Sequence, residues 1–446
     1  MAQDNSGGSA YDPGDGRIPS LQSGAGRTGQ FGLRKIMTAT FLACCLFLQG
    51  LTPEVIEHAQ AGATAQQQGR LSVAIQEFRK VTELQPNSAV GHAHLGDAYF
   101  QNGEYGAAIP ELELALRLNP NLVDTHQTLG VILLMQGNPE EALPHLEKMR
   151  TPELLGLAYL ETGRLGGAIA ALHAALERQP NDPNLLYYFG RATALASRRS
   201  SDELAKATTD LTRQSGAAAD NESRPPQDIV SLQDALAKNP HDRDLLSAFS
   251  RATSQASKEA FDQILQSNAN SARAHQVLAE RYVESGHLPE AEREYSEALR
   301  LKPYTSGVHL ALGNVFAAER KWYAALAQFR METQLRPLSA DAFYSLGSVL
   351  LEQGQATDAL EELAHADRLR PDTPEILLAL GRAAFASHDA RRAEALWTKL
   401  LGVDQKSGLA ASAHLELSQL YRQAGKSQEA MREMAAYEQL KKQGVQ

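Results

Sequence analysis

Residues 89–120 read AVGHAHLGDAYFQNGEYGAAIPELELALRLNP. Apolar residues recur every three or four places on either side of Asn102-Gly103, the spacing of one face of a helix. The stretch therefore predicts two helices, here A and B, joined by a tight turn. Gly96 sits inside helix A, although a mid-helix glycine costs about 1 kcal/mol relative to alanine. Such a glycine makes sense where a side chain would collide with a neighbour. Ala108 in helix B offers the matching small surface, and small residues let two helices approach to the short end of the roughly 8–10 Å range. Gly103 ends helix A, where a left-handed residue is needed. Pro120 stops helix B.

The same residue types return along the chain. Pro86, Pro120, Pro303, Pro337 and Pro371 fall at multiples of 34 within each half, and Pro180 and Pro240 join them after shifts in register. Twelve residues before most of them lies an alanine: Ala74, Ala108, Ala168, Ala291, Ala325 or Ala359. Gly62, Gly96, Gly156, Gly313 and Gly347 stand twenty-four before, matched elsewhere by Gly130, Gly190 and Gly381. A second glycine follows seven later at Gly69, Gly103, Gly137, Gly163 and Gly354. Large residues such as Leu95, Tyr99, Leu112, Tyr295 and Phe329 fill the space between helices.

This pattern resembles the tetratricopeptide repeat over about residues 55–442. Units begin near Val55, Ala89, Val123, Met149, Pro183, Arg243, Ala272, Ser306, Ala340, Pro374 and Ala411. The resemblance implies an all-α fold, a right-handed superhelical solenoid of paired antiparallel helices. The unit from Val123 is short, and Thr151-Pro152 starts the next helix abruptly. Residues 198–228 break the period and end in Ser223-Arg224-Pro225-Pro226, a linker composition. Residues 229–239 read as a lone helix B. Leu185-Leu186 to Ser197 recurs as Leu245-Leu246 to Ser257, a local duplication. The expected organisation is a disordered leader (1–35), an apolar segment (36–54), a first array (55–214), a linker (215–228) and a second array (229–442).

The leader is rich in Gly, Ser, Asp and Gln, without an apolar period. Its Gly24-Ala25-Gly26-Arg27-Thr28-Gly29 matches a dinucleotide fingerprint, but no strand precedes it and no helix follows it. Arg34-Lys35 then lead into IMTATFLACCLFLQGL, residues 36–51, shorter than the about 20 residues of a membrane span. A positive flank and a short apolar core are the layout of a bacterial secretory signal, with Ala59-Gln60-Ala61 as a cleavage site. Cleavage there would cut into the first repeat helix. An uncleaved membrane tether and a buried core helix therefore stay open, as does a lipoprotein box at Phe41-Leu42-Ala43-Cys44. The expected location is exported or membrane-anchored, with cytoplasmic as the alternative.

The net charge of −10 is spread along the chain, which argues against a nucleic-acid partner. Cys44 and Cys45 are the only cysteines, so the repeats hold no disulfide framework. His58, His92, His126, His275, His309 and His414 share the fourth position of their units. Equivalent positions lie roughly 10 Å apart while a metal needs ligands at about 2 Å, so these histidines are read as structural filling. Gly425-Lys426-Ser427 has the end of a phosphate loop, but Leu420 stands where its upstream glycine belongs. No catalytic, cofactor or metal site is expected.

The remaining site is the inner surface. The resemblance implies that it is lined by the second, fifth, ninth and twelfth positions of helix A. These give Asp97, Phe100, Gln127, Val131, Leu134, Tyr187, Arg191, Arg251, Gln276, Glu280, Asn314, Tyr344, Ser348, Arg382, Phe385, Gln419 and Arg422. Aromatic and Arg groups suit peptide binding. The family's carboxylate clamp uses Lys at the fifth and Asn at the ninth position; only Asn314 fits, without the Lys. The expected function is a non-catalytic scaffold holding a protein or peptide partner. The alternative is substrate capture for a separate enzyme or for a secretion or glycosylation machine.

Overall fold

The computed structural model describes residues 52–149, 151–213, 228–267, 269–305 and 307–442. The expectations for 1–35, 36–51 and 215–227 fall outside them. The described residues form twenty-one helices and no strand. None of these helices is long and apolar enough to cross a membrane. Contacts divide the chain into two compact units, Met1–Ile132 and Leu133–Gln446.

The first unit contains α1 (Pro53–Gln67), α2 (Leu71–Leu84), α3 (Ala89–Gln101), α4 (Tyr105–Leu118) and most of α5 (Val123–Gln136). Helix α1 is packed on α2, and α3 on α4. Thr52 caps α1 by accepting from the Val55 amide, with Pro53 in the first turn. Ala59-Gln60-Ala61 lies inside α1.

The second unit holds α6 (Pro139–Met149), α7 (Pro152–Glu161), α8 (Leu165–Arg178), α9 (Pro183–Arg213), α10 (Ile229–Lys238) and α11 (Arg243–Ser267). It continues with α12 (Ala272–Glu284), α13 (Leu288–Leu301), α14 (Val308–Ala318), α15 (Trp322–Leu335) and α16 (Ala340–Glu352). It ends with α17 (Ala356–Leu369), α18 (Pro374–Ala386), α19 (Ala390–Val403), α20 (Gly408–Gln423) and α21 (Ser427–Lys442). From α12 onward each odd helix packs back on the even one before it and forward on the next. The result is a helical solenoid of A–B pairs.

The repeated residues act largely as their types require. The second glycine is left-handed at each turn, for example Gly103 (φ 80°) and Gly354 (φ 75°). Arg320 (φ 57°) and His388 (φ 64°) take that conformation where the repeat lacks glycine. The recurrent alanines are fully buried. One expectation is corrected. The first glycine makes room not for the alanine of helix B but for the large residue four places further on. A Cβ on Gly96 would lie 2.6 Å from Leu112, one on Gly313 2.5 Å from Phe329 and one on Gly347 2.6 Å from Leu363. The alanine lets helix B come close; the glycine receives the bulk that helix B then brings.

The irregular stretch resolves into an insertion. In α9, Ser197 stands seven residues after Gly190, where other repeats carry the turning glycine. Without a left-handed residue the helix runs on to Arg213. Ser257 does the same for α11, which runs to Ser267. Helices α9 and α11 pack antiparallel: a Cβ on Gly190 would lie 2.7 Å from Phe261, and Ser201 bonds Ser250 at 2.9 Å. The duplication, an offset of 60 positions, exchanges these two contacts: Gly190 corresponds to Ser250 and Ser201 to Phe261. Thr193 and Thr253, equally equivalent, are both buried and bond the carbonyls of Phe189 and Phe249.

Phe261 therefore does for Gly190 what Leu112 does for Gly96. The repeat begun at Pro183 is completed by the second half of α11, and α12 follows as the next helix A. Among the described residues, the end of α9, all of α10 and the first part of α11 are inserted between the two halves of that repeat. Arg243 thus opens no separate step of the array. Helix α10, the expected lone helix, packs on α8 and α11.

Candidate functional site

Helix A of one repeat meets helix A of the next at α7–α9, α9–α12, α14–α16, α16–α18 and α18–α20, and such contacts decide which inner positions stay open. In the first unit Asp97 accepts a hydrogen bond from Thr128 on α5 at 2.7 Å. Burial, opposed by the Thr128 hydroxyl and assisted by the charge of Asp124, lifts its carboxyl from the usual 3.8 to about 6. Phe100 lies against the Tyr105 ring at 5.9 Å, and Gln127, next to Thr128 in the chain, is half-buried.

Asp97 makes a pH-dependent contribution with a definite sign. The folded carboxyl binds its proton more tightly than the unfolded one. Its favourable contribution is complete below about pH 3.8 and is lost as pH rises through about 6. Asp97→Asn is expected to stabilise the first unit by roughly 2 kcal/mol at pH 7.5, with little effect at pH 4. Hydrogen exchange of α3 and α5 amides at both pH values measures this; equal shifts at both would refute it.

In the second unit the contact between α9 and α12 is a closed polar network. The Tyr187 hydroxyl donates to Glu280 at 2.5 Å, and the Gln276 amide donates to Tyr187 and Glu280. Arg273 donates to Asn184, Gln276 and Tyr188, its guanidinium over both tyrosine rings. Burial, then the Glu280 charge, pushes the Tyr187 phenol well above its usual value. A network in which each buried group is satisfied fixes one register, here across residues 85–93 positions apart. Elsewhere one pair serves, as where Arg382 donates to Glu416 at 2.6 Å.

Several expected groove residues are therefore interior. Tyr187 is 1% exposed, Gln276 4% and Leu134 6%, so none offers a surface to a partner. The positional rule assumes a gap between successive A helices; here tight packing closes it at Tyr187 and Gln276, the fifth positions of α9 and α12, and at Leu134, a twelfth position. Glu280 belongs to the same network, the Ser348 hydroxyl is buried, and Phe385 leans on Trp397. Arg251 is exposed but lies on the inserted part of α11, outside the helix-A row. Arg191 is exposed at the edge of the network, and Tyr344 is half-buried in the core around Leu346. Asn314, Gln419 and Arg422 are exposed. Arg273 and Tyr188 were not singled out by the pattern. The signal for Arg273 was its place at the second position of the unit begun at Ala272, which the positional rule itself includes.

The histidines hold helix A to helix B. Nδ1 of His58, His92, His275 and His414 bonds Glu77, Glu111, Glu294 and Glu433, nineteen residues on. His309 meets Gln328 in the same way. Nε2 of His92, His126 and His309 bonds the carbonyls of Pro86, Pro120 and Pro303. Gly425 is the left-handed turn between α20 and α21. Among the described residues no group of three His, Cys, Asp or Glu is placed to hold a metal ion.

Helix pairs, turn glycines and spacing coincide with a family profile. The profile described as TPR repeat matches residues 66–103 and 96–137, and that described as Tetratricopeptide repeat matches 153–207, 308–374 and 378–444. The chain is a tetratricopeptide repeat protein. The matches stop at 207 and resume at 308, a gap that takes in most of the insertion. No curated protein matches the chain. Among solved structures, MamA from Desulfovibrio magneticus RS-1 (residues 41 to the end) is 20% identical, covering 39% of this chain and 96% of that one, with a TM-score of 0.37. Pseudomonas aeruginosa PilF is 19% identical, covering 48% and 93%, with a TM-score of 0.37. The Cut9–Hcn1 hetero-tetramer structure is 16% identical over 90% and 88%, with a TM-score of 0.37. Arrays of such repeats present extended binding surfaces, and the chain is of the protein-interaction class.

Proposed function

We propose that this protein is a non-catalytic scaffold that holds an extended segment of a partner protein along the helix-A row of its second unit. The observation that carries this reading is the contrast within that row. Where A helices meet tightly, polar groups are consumed by one another. At Asn314, Gln419 and Arg422 they stay exposed, and Asn314 and Gln419 make no side-chain hydrogen bond among the described residues. Exposed amide and guanidinium groups on rigid helices can pair with the backbone and carboxylates of an extended chain. Arg191 and the half-buried Tyr344 ring extend the same row.

The test uses the full chain as bait, beside a triple variant Asn314→Ala, Gln419→Ala and Arg422→Ala. All three positions are exposed, so folding should be little affected. A defined prey retained by the parent should be lost by the variant. Undiminished capture of the same prey would place binding elsewhere.

A further inference from the structure

Within the second unit the chain returns upon itself. The turn between α5 and α6 meets the turn between α15 and α16, some 200 residues later. The Leu338 amide donates to the Gln136 carbonyl at 2.7 Å. A Cβ on Gly137 would lie 3.1 Å from the backbone of Ser339. Beside them, Arg336 donates to Glu161 at the end of α7, at 2.7 Å. The two side chains are only 14% and 26% exposed. Glu140, at the start of α6, is close enough to add to the effect of Asp341 on the charge of Arg370.

Gln136 and Ser339 are themselves buried. Neither turn belongs to a neighbouring repeat of the other, so the period does not require them to touch. A non-local backbone hydrogen bond, a close backbone approach and a sheltered ion pair in one place form a built contact.

We propose that these residues form a clasp, with Glu161 and Arg336 as its ionic bolt, that closes the solenoid turn running from Gln136 to Ser339. Closure limits how a partner reaches the helix-A row of the repeats between the two turns. That consequence rests on the binding reading above; the clasp itself does not.

The test uses the full chain with Cys44→Ser and Cys45→Ser, carrying Glu140→Cys, exposed in the first turn of α6, and Arg370→Cys, exposed just after α17 in the neighbouring turn. A short bis-maleimide should join the two cysteines within one molecule. Adding Glu161→Arg sets two like charges together and should lower the yield about tenfold. Arg336→Glu added to that variant should restore it. Circular dichroism of each variant separates opening from unfolding. Failure of the parent to cross-link would overturn the clasp, as would a yield indifferent to Glu161→Arg with helicity retained. The cross-link is independent of prey capture, so a failed binding row and a failed clasp give different results.

Discussion

Replacing Trp397 by alanine is expected to destabilise the C-terminal repeats by about 3–5 kcal/mol. Trp397 is fully buried in α19 among Leu377, Leu400, Leu417 and Leu420. Its indole N–H donates to the Leu378 carbonyl at 3.3 Å, and the absence of a side chain at Gly381 admits its ring. Alanine would leave a cavity bounded by two successive repeats, which a solenoid core cannot collapse from both sides at once. Trp397→Phe should cost much less, since Phe78 and Phe329 fill the same register against Gly62 and Gly313. Because each repeat couples chiefly to its neighbours, the damage should be local. Hydrogen exchange should quicken across α18 to α20 and change little in α14 and α15. Wild-type protection throughout, in folded Trp397→Ala, would contradict the packing argument.

The register of Trp397 shows what the sequence could disclose. Glycine, alanine and proline at fixed intervals announced helix pairs and turns, because each type answers a local backbone demand. The partner of the glycine was less visible. Ala108 and Leu112 both lie on the face of helix B, and spacing alone does not say which one enters the gap left by Gly96. The insertion was hidden for a related reason. Residues 185–197 and 245–257 carry the same local signature, so each reads as helix A of its own repeat. The absence of glycine at Ser197 and Ser257 was the available sign that neither helix turns there. The candidate site was legible only in part. A positional rule marks Tyr187, Gln276 and Asn314 alike, whereas burial depends on how closely the following repeat is packed. Arg336 and Glu161 meet across 175 positions, which no repeat period predicts.

A second large effect is expected at Glu332, where the repeat pattern also fell silent. The start of α14 lacks the serine cap used by α12 and α16, in which Ser271 and Ser339 accept from the amides of Ala274 and Ala342. Its cap residue is Gly307, left-handed at φ 81° and without a side chain to accept a hydrogen bond. Glu332, fully buried in α15, supplies the acceptor from the opposite helix. Its carboxylate oxygens accept from the amides of Gly307 at 2.9 Å and Leu310 at 3.4 Å. An anion at a helix N-terminus also meets the positive end of the helix dipole. Glu332→Ala would strand two amide donors and open a void. The expected loss is about 3 kcal/mol, the sum expected for two unmet donors beside a charged acceptor after allowing for relief of the buried carboxylate. Glu332→Gln should lose less, because its amide oxygen still accepts from Gly307 while its NH2 group faces the second donor. The order parent, Gln, Ala in urea midpoint, with faster exchange at the Gly307 and Leu310 amides, is the expected result. If Glu332→Ala matched the parent in both, capping by α15 would not be what starts α14.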